Sequence, residues 1–148
     1  MDLPENSVRI DYGDGYYIGT VKEGTDTEDG YGIFVWNTGE MYAGEFRDGV
    51  RTGKGRLVLA DGSVYEGDFL NNMRSGKGTM TWPSGEVYEG DFIDNSRSGK
   101  GKVTWPSGDW YEGDFIDGKM EGHGTYYSAD GSVKYSGQWI QSCPVDNS

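Results

Sequence analysis

The chain reads as an all-β protein: an elongated, twisted, single-layer antiparallel sheet of repeated β-hairpins, about 12 strands in all. Three observations predict it. A phrase Tyr-x-Gly-x-(Phe/Trp) returns about every 23 residues, pairing Tyr42 with Phe46, Tyr65 with Phe69, Tyr88 with Phe92, Tyr111 with Phe115 and, one residue late, Tyr135 with Trp139. A second phrase, Gly-x-Gly, keeps step at Gly30/Gly32, Gly53/Gly55, Gly76/Gly78, Gly99/Gly101 and Gly122/Gly124, and a third glycine marks Gly39, Gly62, Gly85, Gly108 and Gly131. Between the glycines the residues alternate in period two, and no segment carries a stripe of helical period. Repeats of this length bury their apolar faces by stacking on one another.

The elements follow in order. Val8-Arg9-Ile10-Asp11 is a half repeat ahead of the degenerate copy Tyr17-Ile18-Gly19. In the unit 86–108, Glu86 to Ile93 and Lys100 to Trp105 both alternate and are expected as strands. The stretch from Asp94 to Gly99 between them has turn composition, and Pro106-Ser107-Gly108 makes a tight turn into the next unit. Connections this short impose antiparallel neighbours. Residues 1–16 are expected as an N-terminal cap or half repeat, 17–140 as the array of about five repeats plus a partial one, and 141–148 as a flexible tail.

Composition fits this picture. Only 34% of the 148 residues are hydrophobic, too few aliphatics for a two-layer core, while aromatics make up 14% and glycine contributes 26 residues. Disordered chains are poor in aromatics, so disorder does not fit. The net charge of −12 argues against nucleic acid, whose phosphates require Lys and Arg. It also opposes adsorption to anionic lipid. No signal-peptide pattern opens the chain, and no run approaches a membrane span. The single cysteine, Cys143, has no partner within the chain, which favours a reduced, cytoplasmic compartment.

Alternation assigns two faces. Tyr88, Gly90, Phe92, Gly101, Val103 and Trp105 share one, where rings lie over glycines that lack a Cβ. Val87, Glu89, Asp91, Lys100, Lys102 and Thr104 share the other. There, carboxylates such as Glu66, Asp68, Asp91 and Asp114 should meet Lys54, Lys77, Lys100 and Lys102 in a solvated ladder. In the first units this second face carries Tyr31, Ile33, Val35, Met41 and Ala43 in place of charges. Contiguous apolar exposure marks a contact, either with the N-terminal segment or with a second copy.

Tyr-x-Gly-x-Phe, Gly-Lys-Gly-x-hydrophobic-x-Trp and Pro-Ser-Gly together closely resemble the MORN (membrane occupation and recognition nexus) repeat over residues 17–139. The resemblance implies a single-layer sheet with a groove on one side. It further implies a protein-interaction or scaffolding module of cytoskeletal, ciliary or membrane-associated assemblies. It also implies that several members dimerise through terminal repeats or bind a helical peptide in the groove. Some carry attached methyltransferase or phosphatidylinositol-phosphate kinase segments, which this sequence lacks. The copy at Tyr17 departs from the pattern, with two extra residues before Gly30 and Val21 at the Phe position.

No catalytic constellation accompanies the repeats. His123, the only histidine, occupies the slot of Lys54, Lys77 and Lys100 and is expected as a solvated strand residue. The acidic stretch Asp26-Thr27-Glu28-Asp29 lacks the spacing of a calcium loop. The Gly-x-Gly phrases lack the third glycine and helix of a dinucleotide site. No enzyme activity, cofactor or metal is therefore expected. The expected partner is a protein or peptide, helical or extended, lying along an aromatic groove of Tyr42, Phe46, Tyr65, Phe69, Trp82, Tyr88, Phe92, Trp105, Tyr111, Phe115, Tyr135 and Trp139. Homodimerisation is expected at the terminal repeats or at the patch of Tyr31, Ile33, Val35 and Met41. A row of Arg51, Arg74 and Arg97 supplies the alternative, anion binding at a phosphoinositide membrane surface. Local pairing of these arginines with Asp48, Asp94 and the ladder is the favoured account.

Overall fold

The computed structural model describes residues 3–145. The strands join one open antiparallel sheet in sequence order. They are β1 (Val8–Tyr12), β2 (Gly15–Val21), β3 (Glu28–Trp36), β4 (Met41–Arg47), β5 (Val50–Val58), β6 (Val64–Leu70), β7 (Met73–Thr81), β8 (Val87–Ile93), β9 (Ser96–Thr104), β10 (Trp110–Ile116), β11 (Lys119–Tyr127), β12 (Val133–Ile140) and β13 (Cys143–Pro144). The thirteenth strand comes from the segment expected as a tail, where Ile140 pairs with Cys143 and Trp139 with Pro144. Residues 1–2 of the expected cap and 146–148 of the expected tail lie outside the described residues. The chain divides into two compact units, Met1–Met73 and Arg74–Ser148.

Each unit builds its core from the same contact. In the second, the Tyr88 ring covers the glycine pair Gly90 and Gly101, which face each other across β8 and β9. A Cβ on Gly101 would fall 2.6 Å from ring atom Cζ of Tyr88, so only glycine fits under the ring. The Tyr88 hydroxyl donates to the Asp91 carbonyl at 2.7 Å, which satisfies a buried polar group. Its ring edges meet Phe92 and Phe115 at centroid distances of 5.1 Å, each nearly perpendicular. The first unit repeats this with Tyr42, which meets Phe46 at 5.1 Å and Phe69 at 5.0 Å and donates to the Glu45 carbonyl. Tyr17, Tyr42, Tyr65, Tyr88 and Tyr111 are fully buried.

The hairpin between β8 and β9 corrects the sequence reading. The connection is two residues long, Asp94 and Asn95, at φ of 47° and 74°, as in a type I′ turn. Ser96 already pairs with Ile93, and Arg97 with Phe92. The turn-like composition of residues 96–99 serves a bulge instead. Between the pairs Phe92/Arg97 and Gly90/Gly101, three residues of β9 oppose Asp91 alone. Gly99 adopts φ of 110° there, and a Cβ on it would lie 2.7 Å from Asp91 Oδ2.

The bulge also changes the account of the charged face. Lys54–Asp68, Lys77–Asp91 and Lys100–Asp114 pair across strands as expected. The aspartates are not simply solvated, however. Asp91 accepts the backbone N–H of Lys100 at 2.9 Å, and Asp114 that of His123 at 3.0 Å. Each carboxylate is set into its bulge, and its side chain keeps under a third of its exposure.

Candidate docking surfaces

The aromatic face is mostly consumed by the fold. Tyr42, Phe46, Tyr65, Phe69, Tyr88, Phe92, Tyr111, Phe115 and Trp139 are buried against their own sheet. The expected groove therefore reduces to half-buried rings, Trp82, Trp105 and Tyr135 among those predicted. Tyr126, not singled out from sequence, stacks on Trp105 at 5.3 Å. Burial pushes the hydroxyls of Tyr88 and Tyr111 up to about 12.

Arg51 and Arg97 are placed by the bulge on this same face, opposite Phe46 and Phe92. The guanidinium groups of Arg51, Arg74 and Arg97 are each engaged by a turn carbonyl rather than left as an open cationic stripe. The Arg97 guanidinium lies over Trp82, Tyr88 and Phe115 at 5.2, 5.5 and 5.5 Å and donates to the Gly118 carbonyl at 2.5 Å. Arg51 lies over Trp36, Tyr42 and Phe69 at 5.5, 5.6 and 5.8 Å and donates to the Asn72 carbonyl. Arg74 donates to the Asn95 carbonyl at 3.1 Å. Asp48 pairs with Lys22. Burial lowers the pKa of Arg97 from its usual value.

The opposite face of the first unit carries the unmatched apolar residues. Register aligns Tyr16, Val35, Met41, Val58 and Val64 in one row across β2 to β6. A second row runs Ile18, Ile33, Ala43, Arg56 and Glu66. All but Arg56 and Glu66 are half-buried. Tyr31, Ile33 and Ala43 line a trough of about 720 Å³ that runs on to Lys54, Arg56 and Glu66. The predicted patch of Tyr31, Ile33, Val35 and Met41 thus falls together. Residues 8–12 pair edge-on with β2 and do not lie across it.

His123 lies on a strand, exposed, opposite Gln138 where the ladder would place an aspartate. Cys143 is a free, exposed thiol. Among the described residues no group of His, Cys, Asp and Glu could hold a metal ion. Among the described residues no helix is long and apolar enough to cross a membrane.

The sheet, its hairpin units and their recurring Tyr–Gly–Phe contact define a β-hairpin repeat protein. The MORN repeat model matches five consecutive segments, residues 26–41, 42–64, 65–87, 88–110 and 111–133, and the chain belongs to this family. No curated protein matches it. Among solved structures, it is similar to the TCP domain of SAS-4 (dCPAP) from Drosophila melanogaster, in complex with a proline-rich motif of Ana2 (dSTIL). Identity is 12%, coverage 90% of this chain and 81% of that one, and the TM-score 0.50. The TCP10 domain of Danio rerio CPAP, in complex with a STIL peptide, matches at 14% identity over 84% and 68%, with a TM-score of 0.26.

Proposed function

We propose that the chain is a non-enzymatic interaction scaffold that docks a partner protein or peptide in the apolar trough of its first unit. One observation carries the reading. Later repeats place Lys, Arg, Thr or Glu at most of the trough positions, whereas the first unit places Tyr31, Ile33 and Ala43 there, half-buried around about 720 Å³ of open volume. A helical or extended segment suits a trough of this kind. That the SAS-4 TCP domain holds a proline-rich motif supports a peptide ligand on a sheet of this fold. The family supports a setting in a cytoplasmic assembly of cytoskeletal or membrane-associated type.

The double variant Ile33→Lys with Ala43→Glu tests the reading, because it restores residue types that later repeats already carry at these positions. Cross-linked partners recovered from cells with the wild-type chain should be lost with the variant, at an unchanged thermal midpoint. Recovery of the same partners by both chains would overturn the trough as the docking site. A solution mass of two chains for wild type and one for the variant would make a second copy the occupant.

A further inference from the structure

Arginine returns near the start of β5, β7 and β9, as Arg51, Arg74 and Arg97, and the other copies depart, the terminal ones placing Glu28 opposite Val21 and Pro144 opposite Trp139. Arg51 opposes Phe46 and Arg97 opposes Phe92; at the same register, Phe115 is opposed by Met120. The surroundings of that position repeat the Arg97 seat in part, with Tyr126 in the place of Val103, stacked on Trp105 at 5.3 Å and on Trp139 at 6.4 Å. Trp105 stands where Trp82 stands for Arg97, and Trp139 stands where Phe115 does. Ser142 replaces Gly118, its N–H donating to the Met120 carbonyl as that of Gly118 does to Arg97. With no guanidinium from its own strand, a cleft of about 410 Å³ remains, lined by Trp105, Met120, Tyr126, Tyr135, Trp139 and Ser142.

We propose that this cleft receives an arginine side chain from a partner protein. The chain shows the fit in its own residues. A guanidinium over the Trp and over the Phe of the next hairpin, with one N–H donated to the turn carbonyl, is the arrangement that Arg97 and Arg51 adopt. Charge agrees, since a chain at −12 draws a cationic partner. Lys134, the one cation lining the cleft, is held by Asp109 at 3.2 Å and lies over Tyr126 at 5.5 Å. Its charge is already matched. The proposal rests on the reading of the chain as a partner-binding scaffold, but uses a surface separate from the trough.

The test uses the full chain, labelled with ¹⁵N, and three blocked pentapeptides, Gly-Ser-X-Ser-Gly, in which X is arginine, lysine or citrulline. The arginine peptide should shift the indole N–H signals of Trp105 and Trp139. The citrulline peptide, of the same shape without charge, should bind at least about ten-fold more weakly, and lysine should fall below arginine. Met120→Arg should fill the seat in place and abolish the shifts while keeping the fold. Trp105→Leu, which copies Leu59 ahead of Arg74, serves as a second variant. Equal binding of the citrulline or lysine peptide, no shift with arginine, or wild-type binding by Met120→Arg would overturn the seat. If the Ile33→Lys/Ala43→Glu chain loses its partners but keeps the arginine shifts, the trough reading stands and so does the seat. If the shifts are absent while partners are still lost, the seat alone falls. If partners are retained by that double variant while the shifts persist, the trough alone falls.

Discussion

The hydroxyl of Tyr88 donates to one carbonyl while its ring covers two glycines and meets two phenylalanines. These roles separate by mutation. Tyr88→Phe removes only the hydrogen bond and should cost about 1 kcal/mol in a denaturant titration. Gly101→Ala drives a methyl into the ring and should cost about 3 kcal/mol or more. Asp114 offers a second residue-scale test. Pairing with Lys100, then the N–H of His123, holds its carboxyl below the usual carboxylate range. A depressed folded pKa contributes stability above the unfolded value of about 3.9, which is lost as pH falls through the folded one. Thermal midpoints of the wild type should therefore drop as pH falls from about 5 to 2. Asp114→Asn should be less stable by about 1–2 kcal/mol at pH 7 and lose less over that acid range.

At the scale of the element, the two-residue turns decide the hairpins. Asp48/Gly49, Asn71/Asn72, Asp94/Asn95 and Asp117/Gly118 are residues that tolerate positive φ. Gln141, at φ of 53° in the last turn, is not. Gln141→Asn should raise stability by about 0.5 kcal/mol, readable as a higher unfolding midpoint. The strands themselves were legible because alternation of Tyr, Gly and Phe against Glu, Asp and Lys is a period-two signal. The start of β9 was not. Ser96, Arg97, Ser98 and Gly99 have the composition of a loop, and only the pairing register shows that three residues bulge around Asp91. That register sends the arginines to the aromatic face, which no count of spacings would reveal. The aromatic row was likewise legible as a face. That Tyr88 is closed from both sides, by Phe92 and Phe115, depends on distances between hairpins.

Across the whole molecule, the repeat fixes architecture and departures from it distinguish the surfaces. The first unit replaces charged positions by Tyr31, Ile33 and Ala43, and the second replaces an arginine by Met120. The net charge of −12 keeps the remainder solvated. As pH falls towards the sequence pI of about 4.3, that charge vanishes while Ile93, Ile116 and Ile140 stay more than half exposed. Light scattering across pH 7 to 3 should show a minimum of solubility near that value, recovering at lower pH while the sheet persists.

The two kinds of turn leave unequal room for engineering. The turn at Asn95 is tied to the preceding hairpin, its N–H donating to the Arg74 carbonyl and its side chain accepting the Arg74 N–H, each at 2.9 Å. The turn at Pro83-Ser84-Gly85 closes on itself, through Gly85 to Trp82 and Trp82 to Glu86. An epitope, fluorophore or protease site spliced after Ser84 leaves the ladder between hairpins whole. The same splice after Asp94 severs it.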